Sequence, residues 1–264
     1  MVGEPVASFP WTNLAGVWVG TVVALRMVDE APWSAVGLSS ESWRVGRLAI
    51  GVALGTLLIG VVAGTLLAAG YLRFERVPEL VDAMAGNIVG NPVAEWCATA
   101  VRVLALLAPA ALAEELVFRG YLWTVAEESW GPRVALWSTS GLFGVTHLSN
   151  PGAGVRTTLL VILAGLALGT LRQRTGSLPA AWLAHLAWNW IMAAVLHVPV
   201  SGLPLASAGY RGVLEGPSWL TGGSWGPEGG AVAGVAMGGA LLVALRRDRH
   251  SKSQAAVTST RIEV

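Results

Sequence analysis

The stretch VRVLALLAPAALAEELVFRGYLW runs from Val101 to Trp123 and carries charges inside an otherwise apolar segment. Its second half contains Glu114, Glu115 and Arg119. Each charge placed within a membrane segment costs about 2.5–3.5 kcal/mol on insertion scales. These three residues therefore need a structural or functional reason, unless they lie at a solvated helix end on the cytoplasmic side. The stretch alone leaves that simpler interpretation open.

The composition of the 264 residues indicates a membrane protein. Apolar residues make up 54%, charged residues 12%, and the mean hydropathy is +0.60. Soluble domains carry about 25% charged residues, and about 20 apolar residues cross the hydrocarbon as a helix. We predict an all-α fold, a polytopic membrane helical bundle of about seven transmembrane helices with an intramembrane polar cavity. The predicted spans are 10–27, 46–72, 94–123, 133–149, 156–172, 178–199 and 229–246.

The charge distribution predicts one transmembrane helical domain at 1–245 and a basic, disordered tail at 246–264. We expect the tail to be cytoplasmic, because lysine and arginine concentrate on that side. We expect an integral protein of a bacterial cytoplasmic membrane, with the lipid bilayer as its surroundings. Nucleic acid is not an expected partner, because no basic stripe exists outside the tail. The single cysteine, Cys97, excludes an internal disulfide and a cysteine-based zinc cluster.

Two segments between spans differ from the rest in composition. Residues 73–92 are polar and leave room for a short surface helix. Residues 200–228 are rich in glycine, proline and tryptophan and predict a long irregular loop.

The polar residues of the later spans suggest partners for the opening charges. Glu115 and Arg119 are four residues apart, so they share a helix face and can pair. Glu114 is then left about 100° round the helix, facing elsewhere. The sequence also places His147 at the end of the fourth span, and His185 with Asn189 on one face of the sixth. His197, nearer the end of that span, is interpreted as a packing or interfacial residue.

Together these groups form a set that can activate water inside a membrane. A carboxylate away from bulk water can serve as a general base. Imidazoles can hold a water, donate to an oxyanion or ligate a metal, and an amide can donate to an oxyanion. At about 1.5 Å per residue, Glu114 and His185 lie at similar depths, whereas His147 needs a tilted or shortened fourth helix.

Three motifs resemble the CPBP family of intramembrane proteases, which includes CAAX proteases, bacteriocin-processing Abi proteins and Rce1-like members. EExxxR is present at Glu114–Arg119, FxxxH at Phe143–His147 and HxxxN at His185–Asn189. The resemblance covers about Leu112–Trp190 and implies a catalytic core at about 94–199. It implies an intramembrane endopeptidase that cuts a membrane-anchored peptide or protein substrate, and the sequence leaves open whether that substrate is lipidated.

The same resemblance assigns roles residue by residue. Glu114 would activate water, His147 would help to hold it, and His185 with Asn189 would stabilise the oxyanion. The supporting residues would be Glu115, Arg119 and Phe143.

The cofactor and the activity each keep an alternative. Glu114, His147 and His185 are candidate ligands for a divalent metal such as zinc. We favour a metal-free mechanism, because asparagine beside His185 is a poor zinc ligand. The alternatives to an enzyme are a non-catalytic membrane scaffold or immunity-type protein of the same family, and a proton-linked transporter.

Overall fold

The computed structural model describes the backbone of residues 5–77, 92–205 and 209–262, and side chains over 9–77, 93–205 and 209–246. The helices are α1 (Pro5–Val23), α2 (Val45–Ala68), α3 (Pro92–Glu115), α4 (Leu122–Trp130), α5 (Pro132–Thr146), α6 (Val155–Thr175), α7 (Leu178–Trp190), α8 (Ser218–Thr221) and α9 (Ala231–Ile262). Three π-helical segments continue α1, α3 and α7, at Ala24–Val28, Leu116–Tyr121 and Ile191–Val195. The strands are β1 (Leu72–Arg76) and β2 (Tyr210–Leu214).

The predicted polytopic helical membrane fold is confirmed, and the structure revises the number of long spans. Five helical stretches of the described residues are long and apolar enough to cross a membrane, rather than seven. They are Phe9–Val28, Val45–Ala68, Val93–Trp130, Val155–Thr175 and Leu178–Val195. The apolar part of α9, Ala231–Arg246, is shorter.

The fourth predicted span, 133–149, is the clearest correction. Helix α5 has 15 residues and, at about 1.5 Å per residue, is too short for a hydrocarbon layer of about 30 Å. It ends at Thr146, and His147 begins a short 3₁₀ turn. The shortened fourth helix that the depth of His147 required is therefore present.

The third span was predicted to end at Trp123, but in the structure it continues to Trp130. The helix passes through the π segment and α4 to Trp130, because the first residue that breaks it is Gly131, with a φ of 85°. Pro132 then begins α5 at a position where its missing N–H is harmless.

The all-helical prediction misses a small antiparallel sheet. Strand β1 pairs with β2, with Leu72 opposite Leu214 and Arg76 opposite Tyr210. The turn before β1 uses Gly70, with a φ of 72°. The surface helix considered for 73–92 is replaced by strand as far as Arg76, and its continuation at 78–91 lies outside the described residues.

The last helix differs from the predicted tail. Helix α9 continues to Ile262, where the sequence predicts disorder from residue 246. The segment after Gly239 contains neither glycine nor proline, so its backbone meets no strong helix breaker.

Two glycines bring α2 into direct contact with α7. Gly51 and Gly55 are buried, and a Cβ added at either would collide with a backbone carbonyl oxygen of α7, that of Ala180 or that of Ala184. A four-residue spacing of small residues allows this close approach in membranes. The contact brings α2 against the turn of α7 that carries His185.

Three indole N–H groups fix the register between α3 and α7. Trp182 donates to the carbonyl of Ala108 at 2.9 Å, and Trp190 donates to that of Ala100 at 3.0 Å. In the reverse direction Trp96 donates to the carbonyl of Ala194 at 2.9 Å. The partners run in opposite chain directions, so the two helices are antiparallel. These bonds set the depth at which the glutamates of α3 meet α7.

The predicted irregular loop contains a compact cap. We call residues 217–230 the cap; it comprises α8 and 3₁₀ turns at Gly223–Trp225 and Pro227–Gly229. Gly222 and Gly226 have φ values of 91° and 104°, a conformation open to glycine but strained for other residues. An added Cβ at Gly226 would collide with the carbonyl of Pro199. The glycines of this segment therefore build a tight turn rather than a flexible linker.

Candidate active site

A cavity of about 70 Å³ lies between α2, α6, α7 and the cap. One water needs about 10–15 Å³ of such space, so the cavity holds a few waters or a small group. Most of its wall is aliphatic, from side chains such as Leu54, Leu58 and Met237. Its polar wall consists of His147, His185, Asn189, Ser201 and Glu228.

The charged groups of the EExxxR motif form a buried network at α7. Arg119 and Glu115 are fully buried and pair at 3.0 Å, so the predicted pair is present. The same Glu115 oxygen lies 3.0 Å from Nδ1 of His185. A second guanidinium nitrogen of Arg119 donates to the carbonyl of Gly165 at 3.2 Å. Glu115 is thus held by a cation on its own helix and by an imidazole on another.

Glu114 lies on the other side of the same imidazole. Its Oε2 is 3.9 Å from Nε2 of His185, so Glu114 lies near one of the residues with which the sequence groups it. The two ring nitrogens point in different directions, and His185 can therefore reach two successive carboxylates. Oε2 of Glu114 is buried and has no hydrogen-bond partner among the described residues. This oxygen keeps its lone pairs for a water or a substrate.

The hydrogen bonds also assign the proton positions of the two histidines. Nδ1 of His147 lies 2.8 Å from the carbonyl oxygen of Phe143. A carbonyl only accepts, so Nδ1 carries the proton and Nε2 of neutral His147 has a free lone pair. Glu115, ionised in its pair with Arg119, likewise accepts from Nδ1–H of His185. The Nε2 atom of His185 is left for Glu114 and the cavity.

The ring of Phe143 contacts both histidines and the arginine of the network. Its ring meets those of His147 and His185 edge to face, with centroids 4.7 and 5.9 Å apart. The guanidinium carbon of Arg119 lies 4.3 Å from the centre of the same ring. A cation over an aromatic face is attracted to it. Phe143 therefore ties both histidines and the arginine into one packed unit.

Among the described residues, the possible metal ligands do not form a cluster. Over the described ranges, no group of three or more His, Cys, Asp or Glu side chains is placed to hold a metal ion. Glu114 and His185 approach each other, and both His147 and His185 contact Phe143. The metal-free mechanism stays a prediction, and the proposal below uses protein groups and water.

A family model matches part of the chain. Residues 96–191 match the family model described as Rce1-like, type II CAAX prenyl endopeptidase Rce1-like. The matched segment contains all three motifs, from Glu114 to Asn189. The segment is Rce1-like. The predicted resemblance to the CPBP family is thereby confirmed for these residues. No curated protein and no solved structure matches the chain.

Two polar groups of the cavity lie outside the Rce1-like segment and were missed by the sequence analysis. Ser201 follows α7, and Glu228 belongs to the cap. Glu228 lies among glycines, proline and tryptophan in the run SWGPEGG. An isolated acidic residue in such a run could have marked Glu228 as a candidate site residue. Its position at the cavity wall, however, depends on how the cap folds.

His197 is a packing residue, as the sequence predicted, and is not among the residues that line the cavity. It is buried and packs on Tyr210, with ring centroids 4.1 Å apart. Neither ring nitrogen has a hydrogen-bond partner among the described residues. Burial lowers the pKa of His197 from its usual value of 6.5.

Proposed function

We propose that the protein is an intramembrane endopeptidase that hydrolyses peptide bonds of membrane-associated proteins or peptides. The observation that carries this proposal is the unpartnered, buried Oε2 of Glu114 beside Nε2 of His185. The match to an endopeptidase family over residues 96–191 supports it. The family description names prenylated CAAX substrates, and a lipid-anchored peptide is accordingly the first substrate class to test.

Glu114 acts as the general base in this mechanism. It takes one proton from a water whose other hydrogen is accepted by Nε2 of His147. The water oxygen attacks the carbonyl carbon of the scissile bond. General-base assistance of this kind contributes about 10²–10⁴-fold to rate. The proton held by Glu114 then passes to the amine nitrogen as the C–N bond breaks, which returns Glu114 to its starting state.

His185 and Asn189 stabilise the negative oxygen formed during the attack. They are one helical turn apart and both line the cavity. Asn189 donates through its amide, and His185 donates through Nε2–H when it is an imidazolium. An imidazolium gives a balanced set of charges, with Glu114 and Glu115 against Arg119 and His185. Preorganised donors of this type contribute about 10²–10³-fold each.

The division between the two glutamates gives a sharp test. Purified protein in liposomes is offered quenched-fluorescence peptides with a membrane anchor, with and without a prenyl group. Glu114→Gln should abolish cleavage while the melting temperature stays close to that of the wild type. Glu128→Gln, at an exposed glutamate farther along the same helical stretch, is the matched control and should leave the rate unchanged.

The outcomes separate the proposal from its alternatives. Full cleavage by Glu114→Gln would remove Glu114 from its role as base. A wild-type protein that binds the peptides but never cuts them would favour the scaffold. Proton-linked solute flux that is lost with Glu114→Gln would favour the transporter. If the purified protein held a stoichiometric metal, and a chelator removed both the metal and the activity, the metal-free mechanism would be overturned.

A further inference from the structure

Glu228 brings a carboxylate to the wall of the cavity. Its Oε1 accepts from the backbone N–H and the hydroxyl of Ser201, at 2.6 and 2.7 Å. Its Oε2 accepts from the indole N–H of Trp188 at 3.0 Å. Backbone and indole N–H groups can only donate, so this surrounding suits an ionised carboxylate. The cap therefore fixes a negative charge beside the turn of α7 that carries Asn189.

No cation balances this charge within the described part of the chain. The ion pairs found there do not include Glu228, whereas Glu115 has Arg119. Glu228 is half-buried, and moving a carboxylate even partly out of water without a counter-ion is unfavourable. The three neutral donors, two from Ser201 and one from Trp188, offset part of this desolvation cost. A carboxylate has about four acceptor positions, and one stays free on Oε2.

The rest of the cavity wall is apolar and can contact part of the methylene stem of a cationic side chain. Leu54, Leu58 and Met237 line it with aliphatic groups. Lysine and arginine lay their methylene stems along apolar surface while the charged head finds a polar partner. An acidic side chain in the same place would meet Glu228 with like charge in a poorly solvated space, where repulsion is strong.

We propose that Glu228 selects substrates with a lysine or arginine side chain near the scissile bond and rejects those with an acidic one. This inference rests on the proposed peptidase function and adds the substrate class. Trp188 joins the two sites, because it bonds to Glu228 and lies three residues after His185 on α7. Glu228 lies beyond the matched segment 96–191, so this selectivity belongs to the cap rather than to the three motifs.

The test uses a series of membrane-anchored peptides. Each peptide carries a single Lys, Gln or Glu at one of the positions that flank the scissile bond. At the best position the wild type should prefer Lys over Glu by at least about tenfold in kcat/KM. Glu228→Gln should reduce that ratio to near one. Ser201→Ala, which keeps the charge but removes one bond to it, is the control and should keep the ratio even if its rate falls.

A direct binding measurement separates this inference from the proposed function. The Glu114→Gln protein, which retains Glu228, is titrated with the fluorescent Lys and Glu peptides, and anisotropy gives each Kd. Tighter binding of the Lys peptide supports the inference even if the wild type cuts nothing, in which case only the peptidase function fails. Equal binding of both peptides, or equal loss of the ratio in Ser201→Ala and Glu228→Gln, would overturn it.

Discussion

Replacing Gly55 by alanine should displace the helix that carries His185. A Cβ at Gly55 would lie under 3.0 Å from the carbonyl oxygen of Ala184, whereas carbon–oxygen contacts need about 3.3 Å or more. The added methyl group meets backbone on a packed helix, which cannot rotate away as a side chain can. Helices α2 and α7 must therefore separate by up to about 1 Å at the turn that holds His185.

Two measured quantities follow from that displacement. Overpacking of a well-packed contact costs about 1–3 kcal/mol, so the apparent melting temperature in detergent should fall. A misplacement of about 1 Å at a reacting group lowers rate by about 10²-fold. Cleavage of the best anchored peptide should therefore fall more than the loss of folded protein explains, once rates are corrected for the folded fraction.

Helix α2 supplies its own control. Gly60 is exposed on the same helix, and an added Cβ there meets nothing within 4 Å. Gly60→Ala should leave activity unchanged and stability equal or higher, because alanine is the better helix former by about 1 kcal/mol. If Gly55→Ala proved as stable and as active as Gly60→Ala, the close packing of α2 on α7 would be refuted.

Three further predictions concern groups around the site. Arg119→Met should destabilise the protein by about 3–5 kcal/mol, because it removes the cation that pairs with the buried Glu115. In a double-mutant cycle of chemical unfolding, adding Glu115→Gln should recover part of that loss. If the two changes in unfolding free energy simply added, the pairing would be contradicted. The pKa of His197 is lowered in the folded state, so the stability of the wild type should decrease as pH falls below 6.5. His197→Asn, which also tolerates the φ of 49°, should show a weaker decrease in parallel thermal melts. If both proteins lost stability equally with falling pH, His197 would be excluded as the cause. Trp190→Phe should cost about 0.5–1.5 kcal/mol through its lost bond to α3, and a melting temperature unchanged from wild type would count against the register bond.

The parts of the site that the sequence predicted depend on short-range spacing. Glu115 and Arg119 are one helical turn apart, and their pairing follows from helix geometry alone. His185 and Asn189 line one cavity for the same reason. The membrane fold was predictable because long uncharged segments have few other stable solutions.

The parts that the sequence missed depend on contacts between distant segments. The sequence grouped Glu114 with His185, but it did not predict that α7 places this imidazole between the carboxylates of Glu114 and Glu115. The motif also runs into a π-helical segment, Leu116–Tyr121, and single π turns of this kind occur frequently at functional sites. No residue pattern used in the sequence analysis distinguishes such a turn from ordinary helix.

The two halves of the cavity wall have different origins, and this bears on how far the family match extends. The Rce1-like segment supplies His147, His185 and Asn189 to that wall, with Glu114 beside His185, and these are the groups that the proposed mechanism uses. Helix α2 and the cap, which lie outside that segment, supply the aliphatic wall and Glu228. In the proposed mechanism hydrolysis needs the first set whatever the substrate, whereas the side chains beside the cut bond would meet the second. On these two proposals, the match over residues 96–191 bears on the reaction, and α2 and the cap of this chain bear on the choice of substrate.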